Sequence, residues 1–109
     1  MNILITGGAG FVGSNLARIL GRNKKHKITI IDNLSKGSIN YIKGYEYKIY
    51  KGDIKNYYFL EKCFKKIDCV IHLAAGTGVI DSIKNPLLNF QENLVGTLNL
   101  LNLSKKKKN

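Results

Sequence analysis

Short apolar runs alternate along this chain with stretches in which apolar residues recur every three or four positions. An apolar run of strand length predicts a buried β-strand, and the helical spacing predicts an amphipathic helix. The predicted strands are residues 3–6, 27–31, 45–50 and 68–75, and the predicted helices are residues 12–20, 56–65 and 86–103. This order, β-α-β-β-α-β-α, predicts an α/β fold with a doubly wound parallel sheet of strand order 3-2-1-4 and flanking helices.

A glycine-rich turn joins the first predicted strand to the first predicted helix. It contains Gly7-x-x-Gly10-x-x-Gly13 and, overlapping it, Gly8-x-Gly10-x-x-Gly13. Such glycines permit a tight turn, a close approach of the backbone to a pyrophosphate, and packing of the helix on the strand; the helix N terminus favours the anion. The arrangement indicates one half of a dinucleotide-binding Rossmann fold. The alternative interpretation is a glycine turn with a purely structural role.

Asp32 ends the second predicted strand and follows Gly13 by 19 residues. In dinucleotide-binding folds, a carboxylate about 20 residues beyond the glycines binds the 2′-hydroxyl of the adenosine ribose. The same carboxylate disfavours a 2′-phosphate, so Asp32 predicts NAD rather than NADP. The alternative is an aspartate that only forms the turn at the end of its strand. The polar segment beyond it, which contains Gly37, is predicted to be a loop that folds over the adenosine.

Length and composition indicate a single globular domain. The chain has 109 residues, 44% of them hydrophobic, which suffices for one core but is short for a complete dinucleotide-dependent enzyme. No apolar run reaches transmembrane length and the N terminus lacks a basic signal region, so we expect a cytoplasmic protein with no membrane partner. Cys63 and Cys69 fit neither a disulfide framework nor a zinc site, so core packing is predicted for both and no metal site is expected.

The formal net charge of +11 raises the question of nucleic-acid binding. Among the 18 Lys and Arg residues, however, only Arg18 and Arg22 are arginine, the residue that most often reads bases and clamps phosphates. We therefore interpret the lysines as a solvated surface and predict no specific nucleic-acid partner. A lysine-rich nucleic-acid binder, with salt-sensitive affinity, is the hypothesis ranked last.

Five motifs follow one another in the order of a known family: TGGAGFVGS at 6–14, DNL at 32–34, GDI at 52–54, HLAA at 72–75 and NLVGTLN at 93–99. Over essentially its whole length, the chain resembles the N-terminal portion of the extended short-chain dehydrogenases/reductases. More narrowly, it resembles the NAD-dependent epimerase/dehydratase family acting on nucleotide sugars, with UDP-glucose 4-epimerases as the nearest familiar type. The resemblance implies NAD as the cofactor and a nucleotide sugar as the substrate of the complete enzyme.

The resemblance also implies a role for each matching position. The glycine turn would hold the pyrophosphate. Asp32 and Asn33 would bind the adenosine ribose, and Asp53 with Ile54 would lie at the edge of the adenine. The residues at 73–75 would run beneath the nicotinamide half. Asn93 would hydrogen-bond near the cofactor. The predicted cofactor-binding residues are Gly7, Gly10, Phe11, Val12, Gly13, Asp32, Asn33, Gly37, Asp53, Ile54, Leu73, Ala74, Ala75, Thr77 and Asn93.

Several of these positions have a structural alternative. Asp53 would also suit a cap for the following helix, and Ala74 and Ala75 would also be small for packing alone. Asn93 would also suit a polar position on a hydrated helix face. His72 is interpreted as a core histidine whose ring nitrogens are hydrogen-bonded, rather than as a catalytic base.

No catalytic residue is assigned within this chain. The resemblance implies a catalytic Tyr with a Lys four residues later, because the Lys lowers a tyrosine pKa that is otherwise about 10. Only Tyr47 with Lys51 and Tyr58 with Lys62 have this spacing. The first pair lies on a predicted strand and the second on a short helix on the adenine side, so neither is interpreted as catalytic.

The predicted organisation is an NAD-binding Rossmann half-domain at residues 1–104 and a Lys-rich end at 105–109, with the substrate domain absent. We expect the N-terminal part of a longer enzyme whose reading frame is interrupted near the tract at 105–108. A homodimer is predicted through residues 86–103, whose apolar stripe comprises Leu87, Phe90, Leu94, Leu98 and Leu101. The alternative function is a stand-alone, non-catalytic NAD-binding module, and the choice among epimerase, dehydratase and decarboxylase stays open.

Overall fold

The computed structural model describes residues 1–76 and 78–107. Within them, four strands form one sheet in the order β3-β2-β1-β4. The strands are β1 (Asn2–Thr6), β2 (Lys27–Asp32), β3 (Lys48–Lys51) and β4 (Cys69–His72). All neighbouring strands are parallel. The predicted strand order and the partial Rossmann topology are therefore confirmed.

Helices cover both faces of the sheet. They are α1 (Phe11–Gly21), α2 (Tyr57–Cys63), α3 (Val79–Lys84), α4 (Pro86–Phe90) and α5 (Gly96–Lys107), with a π-helical turn at Gln91–Val95 and a short 3-10 helix at Ile39–Tyr41. The backbone stays in the right-handed helical region where α4, the π-helical turn and α5 meet. Residues 86–107 therefore form one continuous stretch, called the long helical segment below.

The core consists of two apolar clusters, one on each face of the sheet. β1 lies between them and is buried on both faces, because Leu4 points into one cluster while Ile3 and Ile5 point into the other. The first cluster holds α2 and α5 against the sheet through Leu60, Cys63, Phe64, Leu100 and Leu103. The second includes Ala17 of α1. Cys69 packs against this second cluster, so both cysteines have the predicted packing role.

The local predictions differ from the structure at several element boundaries, and β4, for example, ends at His72 rather than at residue 75. β3 begins at Lys48 rather than at residue 45, and the rings of Tyr45 and Tyr47 stack just before it with their centroids 5.6 Å apart. α3 was not predicted, because the neighbouring glycines indicated only a turn. The long helical segment continues beyond residue 103, so the lysines of the predicted Lys-rich end form its last turn through Lys107, where positive charge favours the helix dipole.

The predicted apolar stripe of the long helical segment does not pack on the sheet. Each of its five side chains is more than half exposed: Leu87, Phe90, Leu94, Leu98 and Leu101. The segment instead contacts the core through Leu100, Leu103 and Gly96, where a Cβ would collide with Ile54. It therefore has two apolar faces, of which this chain covers one. In the part of the chain that the structure describes, no helix is both long and apolar enough to cross a membrane.

Candidate functional site

A cavity of about 650 Å³ opens at the carboxyl ends of the strands. The glycine turn (residues 7–13) forms one wall, and the ends of β2 and β3 with their loops form a second. The end of β4, with α3 and α4, forms the third. In open α/β sheets, ligands bind at this edge, where the strand order reverses; here the reversal lies between β1 and β4.

Among Gly7, Gly10 and Gly13 of the glycine turn, packing fixes Gly7 and Gly13 and leaves more room at Gly10. A Cβ on Gly7, whose φ is +68°, would lie 2.8 Å from the Ala74 nitrogen, and a Cβ on Gly13 would overlap the Gly7 carbonyl. A Cβ on Gly10 would meet only the Gly7 carbonyl, at 3.3 Å. The first hydrogen bond of α1 joins the Ser14 N–H to the Gly10 carbonyl at 2.9 Å. The N–H groups of residues 11–13 consequently have no acceptor within the helix, which suits an anion.

Asp32 organises the wall beside the glycine turn. One carboxylate oxygen accepts a hydrogen bond from the Ala9 N–H at 3.0 Å, and the other accepts one from the Leu34 N–H at 2.8 Å. Gly37 packs against this carboxylate, since a Cβ there would lie 2.9 Å from it. Asp32 thus forms the turn at its strand end and also lines the cavity.

Asp53 and Ile54 line the cavity where the chain leaves β3. Asp53 accepts a hydrogen bond from the Lys55 N–H at 2.9 Å and forms an ion pair with the Lys55 ammonium at 2.8 Å. The cap of α2 is Asn56, whose side chain accepts from the Phe59 N–H. Asp53 therefore shapes the turn before α2 and is not the capping residue itself.

The loop that follows β4 is held by side-chain amides of the long helical segment. The Asn93 oxygen accepts from the Gly76 N–H at 2.6 Å, and its Nδ2 donates to the Gly76 carbonyl at 3.2 Å. Asn89 donates to the same carbonyl and accepts from Asn93. These four bonds form a clamp on Gly76, called the amide clamp below. Across the cavity mouth, an exposed ion pair of 3.6 Å joins Lys36 to Asp81, which contributes little to stability.

His72 lies directly before this loop and bonds through both ring nitrogens. Its Nδ1 is 2.7 Å from the Thr6 hydroxyl, and its Nε2 is 2.8 Å from the Thr97 hydroxyl. Burial lowers the pKa of His72, so the neutral ring is favoured. These contacts are those expected of a hydrogen-bonded core histidine.

The cavity brings together most of the residues predicted to bind a cofactor. Those that line it are Gly7, Gly10, Phe11, Val12, Gly13, Asp32, Asn33, Gly37, Asp53, Ile54, Leu73, Ala74 and Ala75. Asn93 is not among the lining residues and contacts the loop backbone instead. Thr77 lies outside the residues that the structure describes.

Sequence reasoning missed the wall formed by α3 and α4. Its lining residues are Asp81, Lys84, Asn85, Leu88, Asn89 and Glu92. The last four recur at helical spacing and could have been identified as the face opposite the apolar stripe. Asp81 and Lys84 gave no such signal, because α3 itself was not predicted.

The two Tyr–Lys pairs of suitable spacing lie away from the cavity. Tyr58 is 78% exposed on α2, and Tyr47 packs against the cluster on the α1 face. Neither tyrosine, and neither Lys51 nor Lys62, lines the cavity. Within residues 1–76 and 78–107, no group of His, Cys, Asp and Glu side chains could hold a metal ion.

Comparison with known proteins identifies a family and several relatives with similar sequences. The model of the NAD dependent epimerase/dehydratase family matches residues 3–109. A dTDP-D-glucose 4,6-dehydratase from Dictyostelium discoideum is 45% identical over 111 residues, covering 94% of this chain and 26% of the relative.

Solved structures of similar proteins superimpose closely on this chain. A UDP-glucose 4-epimerase from Thermotoga maritima with UDP-glucose superimposes with a TM-score of 0.91 at 34% identity, covering 97% of this chain and 34% of the other. One from Thermus thermophilus in complex with NAD has a TM-score of 0.88 at 31% identity, with coverage of 97% and 34%. The chain thus spans about a quarter to a third of the length of these proteins and corresponds to their N-terminal NAD-binding part.

Proposed function

Because the chain belongs to the NAD-dependent epimerase/dehydratase family, we propose that it binds NAD in the cavity at the carboxyl ends of its strands. The observation that carries this proposal is the glycine turn. A Cβ on Gly10 would meet only the Gly7 carbonyl, beside the N–H groups of residues 11–13 that have no acceptor within α1, whereas Gly7 and Gly13 are fixed by packing. A pyrophosphate there would accept those N–H groups and meet the positive end of α1.

Asp32 would hold the adenosine ribose. Each of its carboxylate oxygens already accepts one backbone N–H, which fixes the orientation of the carboxylate before any ligand arrives. Each oxygen keeps a further lone pair, and a ribose hydroxyl can donate to it. Asp53, which is held by Lys55, would lie at the edge of the adenine.

The start of the loop after β4 would support the nicotinamide half. Leu73, Ala74 and Ala75 line this part of the cavity, and two of these three side chains are methyl groups that allow a close approach. The amide clamp fixes the loop directly beyond them. When bound, NAD supplies an acceptor for hydride; the role of the residues in this chain is to bind and orient it.

The activity of a complete protein is a further proposal, because the chain spans only about a third of its relatives. We propose that it oxidises a nucleotide sugar and completes an epimerisation, dehydration or decarboxylation, with the Tyr–Lys pair supplied from outside these residues. The exposed stripe of the long helical segment supports a homodimer. Cys63 and Cys69 are free thiols, which supports a reducing cytoplasmic location.

The second candidate is a stand-alone module that binds NAD without catalysis. The position of both Tyr–Lys pairs outside the cavity favours it. Sequencing the coding DNA across and beyond the tract at 105–108 separates the two. A continuing or shifted frame that encodes Tyr-x-x-x-Lys supports the enzyme, whereas a clean stop without such a frame supports the module.

NAD binding itself is tested by calorimetric titration with NAD and NADP. We expect NAD to bind at least about tenfold more tightly than NADP, because the Asp32 carboxylate repels a 2′-phosphate. Asp32→Asn should weaken NAD binding by about tenfold or more and reduce the preference. The matched control is Asp68→Asn, since Asp68 also accepts a backbone N–H, from Asn2 at 2.7 Å, but lies outside the cavity. Equal affinity for both dinucleotides, or no binding of NAD, would contradict the proposal.

A further inference from the structure

His72 connects the two strands that flank the reversal of strand order. It is the last residue of β4, and its ring lies between Thr6, the last residue of β1, and Thr97 in the first turn of α5. Thr6 directly precedes the glycine turn. Thr97 lies one helical turn beyond Asn93, and its hydroxyl donates to the Asn93 carbonyl at 2.5 Å. The ring therefore joins the start of the glycine turn to the residue at the centre of the amide clamp.

The surrounding hydrogen bonds determine which ring nitrogen carries the proton. The Thr6 hydroxyl oxygen accepts the Ala74 N–H at 3.2 Å and shares the Leu73 N–H with the Thr6 carbonyl, each at 3.1 Å, so backbone N–H groups approach both of its lone pairs. Its own hydrogen must then be donated to Nδ1 of His72. The Thr97 hydrogen is used on the Asn93 carbonyl, so Thr97 accepts from Nε2. The arrangement thus requires the neutral ring with its proton on Nε2.

A second proton would break this arrangement. An N–H at Nδ1 would point at a Thr6 oxygen that two backbone N–H groups already approach, so it would compete with the Ala74 N–H for this acceptor, whereas the Leu73 N–H would keep the Thr6 carbonyl. β1 has no titratable side chain. Those on the other adjoining elements are Cys69 of β4, Glu92 of the π-helical turn, and the lysines Lys105, Lys106 and Lys107 in the last turn of α5. Burial, rather than any of these groups, lowers the pKa of His72.

We propose that neutral His72 is a positioning residue, which holds the glycine turn and the loop after β4 in the relative position that NAD needs. The proposal rests on NAD binding in the cavity, since the pyrophosphate and nicotinamide parts would contact the two regions that the ring joins. Protonation weakens the bond between the His72 ring and the Thr6 hydroxyl that joins these regions, so protonation and NAD binding oppose each other. Linkage is reciprocal, and bound NAD must therefore make His72 harder to protonate.

The first test is nitrogen-15 NMR of the imidazole rings of the unmodified chain during a pH titration, with and without saturating NAD. His26 lies near the opposite end of the sheet, beside the N-terminal ammonium group, and serves as an internal reference. We expect His72 to be the Nε2–H tautomer, with its midpoint shifted to lower pH when NAD is bound. The His26 signals should not respond to NAD. An Nδ1–H tautomer, or an unchanged His72 midpoint with NAD bound, would overturn the proposal.

The second test compares Thr97→Val with Thr97→Ser. The serine keeps the hydroxyl, whereas the valine leaves the Nε2–H of His72 without its acceptor at nearly the same side-chain volume. We expect NAD binding to weaken by about three- to thirtyfold in Thr97→Val and by less than about twofold in Thr97→Ser. For the unmodified chain, affinity should be constant above neutral pH and fall as the pH drops through the lowered His72 pKa.

The two proposals fail in different ways. If NAD binds with equal affinity to both Thr97 variants and shows no acid dependence, the positioning role is wrong while the proposed function stands. If NAD does not bind to the unmodified chain at any pH, both are wrong. A loss of binding that Thr97→Val and Thr97→Ser share would also exclude the positioning role, because only the valine removes the acceptor.

Discussion

On one side of the cavity, the glycine turn lies on side chains with no exposed surface, among them Ile5, Ala9 and Ile30. On the other side, α3 exposes 67–77% of Val79, Ile80 and Ile83. We call the first region, comprising β1, the glycine turn, β2 and α1, the glycine-turn half. The second, comprising the loop after β4 with α3 and α4, is the β4-loop half. The two halves face one cavity but are held by different kinds of contact.

The glycine-turn half is fixed by backbone fit and apolar burial. Gly7 and Gly13 leave no room for one additional carbon atom, and residues 3–6 of β1 and 28–32 of β2 beneath them are buried. The β4-loop half is fixed mainly by side-chain amides that bond to the backbone of Gly76. Each such bond contributes about 1 kcal/mol. We therefore expect the first half to be as stable as the whole domain, and the second to open locally at lower free energy.

Substitution of Gly13 should give the largest effect, because it disrupts the more tightly packed half. In Gly13→Ala the new methyl group would collide with the Gly7 carbonyl and approach the Gly8 Cα within 2.8 Å. Both contacts are with backbone, which cannot rotate away. We expect a loss of about 3 kcal/mol or more in the free energy of unfolding, or no folded protein, as measured by urea denaturation.

Gly10→Ala is the matched control for this substitution. Its methyl group would face the cavity and meet only the Gly7 carbonyl, at 3.3 Å, with φ of −78°, which alanine adopts freely. We expect less than about 1 kcal/mol of destabilisation together with weaker NAD binding. Equal stability of the two variants would show that the glycine-turn half is not fixed by backbone fit.

The same contrast explains what the sequence could predict. Strand order, the glycine turn and the position of Asp32 could be predicted from local pattern and spacing. The apolar runs of β1 and β2 are typical of buried strands. The face on which the last helix packs could not be predicted in this way. Leu94 and Leu98 fit an apolar stripe as well as Leu100 and Leu103 do, and only the position of Gly96 against Ile54 selects the second face.

The polar contacts of the β4-loop half were also beyond sequence pattern. Asn93 was predicted near the cofactor, but its partner is the backbone of Gly76, 17 positions earlier in the chain. Such a contact depends on where a loop crosses a helix, and the spacing of apolar residues in the sequence does not predict that position. His72 was correctly interpreted as hydrogen-bonded, whereas its partners Thr6 and Thr97 became evident only from the structure.

Removal of the amide clamp should give an intermediate effect, confined to the β4-loop half. Asn93→Ala leaves the Gly76 N–H without its acceptor at 2.6 Å, and we expect a loss of about 1–3 kcal/mol in the free energy of local opening. Amide hydrogen exchange should become faster at Gly76 and stay unchanged at Ile5 and Ile30. The control is Asn102→Ala, an exposed position on α5. Faster exchange across the whole sheet would mean that the two halves are one cooperative unit.

The smallest effect on stability should come from the uncovered face of the long helical segment, where Leu98 is 53% exposed. Leu98→Gln removes little buried surface, so the free energy of unfolding should change by less than about 0.5 kcal/mol. Leu100, two positions away, is 3% exposed and lies in the core cluster, and Leu100→Ala should cost about 2–5 kcal/mol. If the exposed stripe pairs with a second copy, the apparent mass of Leu98→Gln in sedimentation equilibrium should be lower than that of the unmodified chain. An unchanged mass distribution would remove the support that this face gives to a homodimer, because a buried leucine at the interface would have been replaced by an amide.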